Sequence, residues 1–245
     1  MANSDPLKSI PLFHHFTKSD REELARHTTE MPYKKGEFVF REGDPASWFH
    51  IVKEGTVKCV KSSPDGREVT LKVLLPGELF CCDAAVMDNS VHPGCAQVID
   101  QAKILRVSKK PYMAMLKRNP EAAIEVITYL GRRLREAQES AKSFALDRAE
   151  QRLASLFVDL AERASVQDTD GLRLTVPLTR QDLADMAGLT VETTIRIMSR
   201  FKQAQMIWGT AKRLVVRDLS KLKALATLSD PPDYLHSSSP QLSES

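Results

Sequence analysis

The hydrophobic period of the chain changes near residue 120, and this change constrains the fold more than any other feature. Between residues 33 and 107, short apolar runs are separated by turn residues, whereas from residue 120 onward apolar residues recur at spacings of three and four. A period near two is typical of strands and a period near 3.6 of helices. The sequence therefore predicts an α+β protein in which a β domain precedes a helical region.

The apolar runs of the first region predict short strands. They are EFVF, WFHIV, TVKCV, EVTLKVLL and AKILRV, and the residues between them include Gly36, Gly43, Gly55, Gly66 and Pro76-Gly77. In the fourth run Val69, Leu71 and Val73 alternate with Thr or Lys, which predicts that these three side chains face the core. Short strands at this pitch form sandwiches or barrels. We assign residues 1–118 to this β domain.

The first helical segment, at residues 119–146, carries a narrow apolar stripe. The stripe consists of Ile124, Ile127, Leu130, Leu134, Ala137, Ala141 and Phe144. A narrow stripe on a long helix favours pairing with an identical helix, and packing against its own domain is the alternative. We therefore predict a dimerisation helix that ends in a hinge near residues 144–147.

A second domain is predicted at residues 147–227. Asp147 and Glu150 form a D-x-x-E capping signature, which predicts that a new helix begins there. Residues 173–223 hold ten Lys/Arg and four Asp/Glu, whereas residues 1–172 hold 25 of each. Such a local positive excess is expected of a module that meets a polyanion, although a solvated basic face is the alternative. The Pro/Ser-rich residues 228–245 are expected to be disordered.

Two short helices are predicted inside the basic segment. Thr179 is placed to cap a helix over residues 180–187, Gly188 to form a turn, and Thr190 to cap a helix that continues to about Gln203. Two helices joined by a short turn that contains Gly form the motif that places its second helix in the major groove of DNA. The segment MIWGTAKRLVVRD predicts a following hairpin, or wing, around Gly209.

The second of these helices carries the candidate base-reading residues. Val191, Glu192, Thr193 and Arg196 are predicted to point outward from its first turns. Arg can donate two hydrogen bonds to guanine and Glu can accept one from cytosine. A surface ion pair between Glu192 and Arg196 is the weaker alternative, because such a pair stabilises a helix by only about 0.3–0.5 kcal/mol. The candidate phosphate contacts are Arg180, Thr190, Arg200, Lys202, Lys212 and Arg213.

This order of parts resembles the CRP/FNR family of bacterial transcription regulators. The resemblance covers about residues 10–225 and is most specific in LTRQDLADMAGLTVETTIRIMSRFKQAQMI. It implies a roll like a cyclic-nucleotide-binding domain, a homodimer on a palindromic operator, and RNA polymerase as a partner. Glu192 and Arg196 match the family's base-reading positions. LTVET and CDAAVMDNSVHPGCAQ point to the FNR-like branch, but Ile195 stands where that branch has a small polar residue, which implies different outer operator bases.

The resemblance also bears on the effector. In cyclic-AMP-binding relatives a Gly-Glu-Leu segment holds the ribose and an Arg-Ser pair holds the phosphate. Here Cys81, Cys82 and Asp83 take the first place and Gly94-Cys95 the second, so that the site offers an acid and lacks the cation that a cyclic phosphate needs. We therefore expect that cyclic AMP is not the effector. The first 58 residues contain no cysteine, so the N-terminal iron-sulfur cluster of FNR proteins is not expected either.

The remaining effector candidates are Cys81, Cys82, Asp83, His92 and Cys95. They suggest a redox-active thiol, a haem ligand or a metal site, and the alternative is that the cysteines are small core residues, as expected for Cys59. His14, His15, His27 and His50 are each expected to be structural. The effector is predicted to be a small molecule, a gas or a redox signal. The second hypothesis is a constitutive DNA-binding regulator with a vestigial sensor domain.

Other classes of protein fit the sequence less well. It has no glycine-rich phosphate loop, no metal-ligand spacing and no recognisable nucleophile constellation, so we do not expect an enzyme. No apolar run approaches the roughly 18 residues of a membrane helix, and the N-terminal residues do not resemble a secretory signal. We expect a cytoplasmic protein.

Overall fold

The computed structural model describes residues 7, 8, 10, 13, 14, 16–63, 65–66, 68–80, 87, 89–210 and 213–227. The predictions for His15, Cys81, Cys82, Asp83, Lys212 and the tail 228–245 lie outside these residues. The chain divides into two units, Met1–Ala141 and Lys142–Ser245, which are described in turn. The domain limits predicted from the sequence stay predictions.

The first unit is built on two antiparallel sheets. Its elements are α1 (Lys18–Arg26), β1 (Thr28–Tyr33), β2 (Phe38–Phe40), β3 (Trp48–Glu54), β4 (Val57–Ser62), β5 (Glu68–Leu74), β6 (Leu79–Phe80), β7 (Cys95–Val98), β8 (Ala102–Ser108), α2 (Lys109–Arg118) and the start of α3 (Pro120–Leu146). The strand orders are β1-β8-β3-β6 and β2-β7-β4-β5. This arrangement confirms the predicted roll.

The two faces of β3 divide the core of this unit. Phe49 and Ile51 belong to a cluster that also holds Tyr112 of α2 and side chains of α1 and α3. Val52 belongs to a second cluster, which includes Phe40 and residues of the other sheet. Because successive side chains of a strand point to opposite faces, β3 contributes to both clusters.

The prediction for β5 is wrong at two of three positions. Val73 is buried, but Val69 and Leu71 are exposed and Thr70 is buried instead. The physical reason is a shift in the pairing of β4 with β5 between Cys59 and Val60, which interrupts the alternation of the strand. A shift of one residue exchanges the two faces of a strand.

Helix α3 confirms the predicted long helix and separates its apolar residues into two sets. Ala122 and Val126 are buried in the first core cluster, and Leu130 packs partly against it. Ile124 and Ile127 are exposed, so the predicted stripe lies outside this core over most of its length.

The second unit begins with the last turn of α3. It continues with α4 (Ala149–Arg163), β9 (Ser165–Asp168), β10 (Gly171–Leu174), α5 (Arg180–Ala187), α6 (Val191–Gln203), β11 (Ile207–Thr210), β12 (Arg213–Val216) and α7 (Leu219–Thr227). The four strands form one sheet in the order β11-β12-β10-β9. Among the helices described in both units, none is long and apolar enough to cross a membrane.

Two local predictions in this unit need correction. Helix α4 is capped by Arg148 rather than Asp147, and the Arg148 amide donates to Gln151 Oε1 at 2.7 Å. The Asp147 carboxylate instead accepts a hydrogen bond from the Ser143 hydroxyl. Gly209 lies inside β11, paired with Leu214, rather than between the two strands of the hairpin.

Candidate nucleic-acid interface

Helix α5 begins at a reciprocal cap. The Asp182 amide donates to Thr179 Oγ1 at 3.1 Å, and the Thr179 amide donates to Asp182 Oδ2 at 3.0 Å. Each bond satisfies a backbone N–H that has no partner within the helix. The start of α5 is therefore determined by residues next to it in the sequence.

The turn between α5 and α6 depends on Gly188. Its φ of +63° is left-handed, a conformation that glycine adopts without steric strain. The Leu189 amide then donates to Ala184 O at 2.8 Å. Thr190 caps α6 by accepting from the Thr193 amide at 3.2 Å. The predicted helix-turn-helix is thus present, with the predicted caps and turn.

Buried side chains pack the two helices onto α4. Leu183 and Ala187 of α5 and Ile197 and Phe201 of α6 are buried. The Phe201 ring meets the ring of Phe157 edge-on, with centroids 6.3 Å apart. The packing places one face of α6 inward and leaves the opposite face outside the core.

The outer face of α6 carries the predicted base-reading residues. Glu192 and Arg196 are exposed, Val191 and Thr193 are half-buried, and Ile195 is 37% exposed. Within the part of the chain that the structure describes, no ion pair joins Glu192 to Arg196. Their hydrogen-bonding groups face solvent and are available to an external partner.

The predicted phosphate contacts differ in whether a charged side chain of the same unit already binds them. Arg180 and Thr190 are exposed and Lys202 is half-buried at the end of α6. The Arg200 guanidinium is paired with the Glu150 carboxylate of α4. The Arg213 guanidinium donates to Asp168 Oδ2 at 2.9 Å, and this bond is the largest cause of the lowered pKa of Asp168. Arg200 and Arg213 therefore already serve contacts inside the second unit.

The effector candidates that the structure describes lie in the roll. His92 is buried and stacks on Phe40 with ring centroids 3.7 Å apart. Cys95 is half-buried, and its Sγ accepts from the Glu42 amide at 3.4 Å. These two residues are anchored in the roll, whereas Cys81, Cys82 and Asp83 lie outside the described residues.

A second histidine adjoins His92. The His50 ring lies 5.6 Å from the His92 ring, between centroids, and 5.4 Å from that of Phe80. Burial lowers the pKa of His50 to about 3, and the charges of His92 and Arg106 act in the same direction. His50 is therefore a neutral ring at physiological pH. His14 and His27 are exposed.

Sequence reasoning missed two polar residues of α4. Glu150 holds Arg200, from 50 positions away in the sequence. Arg152 donates to backbone carbonyls on both sides of the domain hinge. Neither contact has a sequence signature, because each joins segments that only the tertiary fold brings together.

A β-roll, a long helix and a winged helix-turn-helix whose second helix is exposed define a DNA-binding regulator. The Crp-like helix-turn-helix domain family matches residues 151–225, and the cyclic nucleotide-binding domain family matches residues 30–119. The chain belongs to the CRP/FNR family of transcription regulators.

Relatives in this family cover most of the chain. The transcriptional activator protein Anr of Pseudomonas protegens is 27% identical over 195 residues, which are 80% of this chain and 79% of that protein. The CRP-like cAMP-activated global transcriptional regulator of Mycobacterium tuberculosis is 25% identical over 199 residues, or 81% and 88% of the two chains. The structure of FixK2 from Bradyrhizobium japonicum matches with a TM-score of 0.72 and 24% identity, covering 83% of this chain and 99% of that one. The match to FixK2 concerns the fold.

Proposed function

We propose that the protein acts as a homodimer that binds a palindromic operator and reads it with helix α6. The observation that carries this proposal is the outward placement of Glu192 and Arg196, unpaired with each other, on the first turns of α6. Those turns reach base edges when a recognition helix enters the major groove. Arg196 then donates to guanine, and Glu192 accepts from cytosine.

The exposed stripe of α3 supports the homodimer. Ile124, Ile127 and Leu134 are 60%, 66% and 61% exposed in the single chain. Side chains of this size are stable at a helix surface when a partner helix covers them. A two-fold axis along paired α3 helices also accounts for a palindromic operator, with half-sites about 34 Å apart. We further infer RNA polymerase as a partner and the cytoplasm as the location.

We infer that a small molecule, a gas or a redox signal acts at the roll, and that this signal is not cyclic AMP. Gly94 and Cys95 supply no cation for a cyclic phosphate. Cys95 itself is a half-buried free thiol whose Sγ accepts a hydrogen bond from the Glu42 amide. A redox signal is therefore the effector class that the described residues support best.

A constitutive regulator is the second candidate, and one observation favours it. The rings of Phe40, His50, Phe80 and His92 occupy neighbouring positions inside the roll. With centroids 3.7–5.9 Å apart, these rings pack against one another, so they fill their part of the roll with side chains.

A gel-shift experiment tests the DNA-reading proposal. The probe is a duplex that the full-length protein selects from a randomised pool. We expect that Glu192→Ala combined with Arg196→Ala abolishes the preference for this duplex over random DNA. The control pair is Asp159→Ala with Arg163→Ala, which removes an acid and a base at the same spacing from α4. Full sequence preference in the first double variant would exclude α6 as the reading element.

Spectroscopy and oxidation separate the two effector hypotheses. A visible absorption spectrum of the purified protein tests for haem. Operator affinity measured with and without a thiol oxidant tests for a redox signal, with Cys95→Ser as the control. A featureless spectrum together with unchanged affinity supports the constitutive regulator.

A further inference from the structure

The hinge between α3 and α4 holds an arginine with four backbone partners. Helix α3 ends at Leu146 and α4 begins at Ala149, and Arg148 between them is extended, with φ −69° and ψ 156°. The chain thus leaves the helical conformation between the dimerisation helix and the reading domain. Arg152, in the first turn of α4, lies beside this break.

The Arg152 guanidinium contacts both sides of the break. Its Nε donates to Ala187 O at 2.9 Å and its Nη2 to Gly188 O at 3.2 Å, at the end of α5. Its Nη1 donates to Asp147 O at 3.2 Å and to Phe144 O at 3.4 Å, at the end of α3. One side chain therefore joins the end of α3 to the turn of the helix-turn-helix.

The choice of arginine follows from the chemistry of helix ends. The last carbonyls of a helix have no partner within the helix and carry partial negative charge. A guanidinium offers five N–H donors in a planar fork with a permanent charge, so it can serve two helix ends together. A lysine ammonium is a compact charge that cannot present a rigid fork to both.

An apolar contact lies at the same place. A Cβ atom built on Gly188 would come within 3.0 Å of Cδ1 and Cε1 of the Phe144 ring. The turn of the helix-turn-helix therefore lies directly against the last turn of α3. Phe144 remains 50% exposed, so its other side is available to a dimer partner.

We propose that Arg152 is a positioning residue that fixes the helix-turn-helix to the end of α3. It thereby sets the separation at which the dimer presents its two reading helices. This role rests on the proposed function, since it requires two α6 helices on one operator. Arg152 does not contact DNA, and its loss leaves the chemistry of Glu192 and Arg196 intact.

The test compares operators of different spacing. The probes are the palindromic duplex selected by the wild-type protein, the same duplex with one base pair inserted between its half-sites, and a duplex with a single half-site. The variants are Arg152→Gln and Arg152→Lys, and the control is Arg163→Gln on the exposed surface of α4. Circular dichroism establishes that each variant is folded.

We expect Arg152→Gln to bind the palindrome about tenfold more weakly, because charge-assisted hydrogen bonds at the hinge are lost. The ratio of its affinity for the palindrome to its affinity for the duplex with one inserted base pair is expected to fall toward one. Its affinity for the single half-site is expected to stay at the wild-type level. Arg152→Lys is expected to show the same loss of spacing preference, and it replaces Arg152→Gln if the latter does not fold. Arg163→Gln is expected to match wild type.

Two outcomes would overturn this role. In one, folded variants keep the wild-type spacing preference. In the other, they lose affinity equally for all three probes, which indicates a general structural role. If the wild-type protein itself showed no spacing preference, the proposed dimeric operator complex would fail instead, and the role of Arg152 would fail with it.

Discussion

The two units of the chain expose opposite kinds of side chain on their most prominent helices. Along α3 the first unit exposes Ile124, Ile127 and Leu134, while it buries the polar rings of His50 and His92. Along α6 the second unit exposes Glu192 and Arg196 and buries Ile197.

This difference shows which kind of partner each surface fits. A row of exposed large apolar residues on a monomer is stabilised by covering it with protein. Exposed charged residues on a capped helix within a basic segment fit a polyanion. These surfaces therefore fit the two partners of the proposed complex, a second copy of the chain at α3 and DNA at α6.

The largest effect is expected when a charge is introduced into the exposed apolar stripe of α3. Ile127→Glu places a charge in the stripe of α3, so sedimentation equilibrium should give the mass of one chain. Because linked binding sites gain about 10²- to 10⁴-fold in affinity, binding to the palindrome should weaken by a factor in that range. Thr128→Glu adds the same charge at an exposed position next to the stripe and should remain dimeric. A dimeric Ile127→Glu would mean that another surface holds the subunits together.

The next effect concerns the charged surface. Arg196→Ala should weaken operator binding by about 1–3 kcal/mol, the discrimination expected from one bidentate contact to guanine. The loss should appear as relaxed preference at one base pair of each half-site in competition gel shifts. Arg163→Ala serves as the control. Equal weakening on operator and random DNA would show that Arg196 contacts phosphate.

A smaller effect is expected from the buried His50 of the first unit, on the pH dependence of the free energy of unfolding. The pKa of His50 is lowered from 6.5 to about 3, so between these values the unfolded chain binds a proton that the folded chain does not. The free energy of unfolding should therefore fall as pH falls, by up to about 1.4 kcal/mol per pH unit. His50→Phe removes this group and should flatten the profile measured by urea denaturation. The exposed His27→Gln should leave it unchanged, and an unchanged slope in His50→Phe would show that other groups cause it.

The smallest effect is expected at Arg200, which was predicted to contact phosphate. Its guanidinium is paired with Glu150, and a partly exposed ion pair contributes about 0.2–1 kcal/mol to stability. Arg200→Gln should lower the free energy of unfolding by that amount and leave the salt dependence of DNA binding unchanged. If the slope of the logarithm of the DNA-binding constant against the logarithm of salt concentration instead decreased by about one, Arg200 would contact a phosphate as predicted.

Features encoded by neighbouring residues could be predicted from the sequence. Thr179, Gly188 and Thr190 each act within four positions, and the helix-turn-helix has the bounds that they predict. The prediction that Val69 and Leu71 are buried was wrong, because the register shift between β4 and β5 depends on pairing across strands. The contacts of Arg152 and Arg200 span 35 and 50 positions, so no local pattern could indicate them.

Selection of binding sites from random DNA is the most direct test of the central claim. The full-length protein and Arg196→Ala are each incubated with a randomised pool, and the bound duplexes are sequenced. Wild type should enrich an inverted repeat with half-sites about one helical turn apart. Arg196→Ala should lose the preference for the same base pair in both halves. An unrepeated site, or an identical site for both proteins, would contradict a homodimer that reads DNA with Arg196.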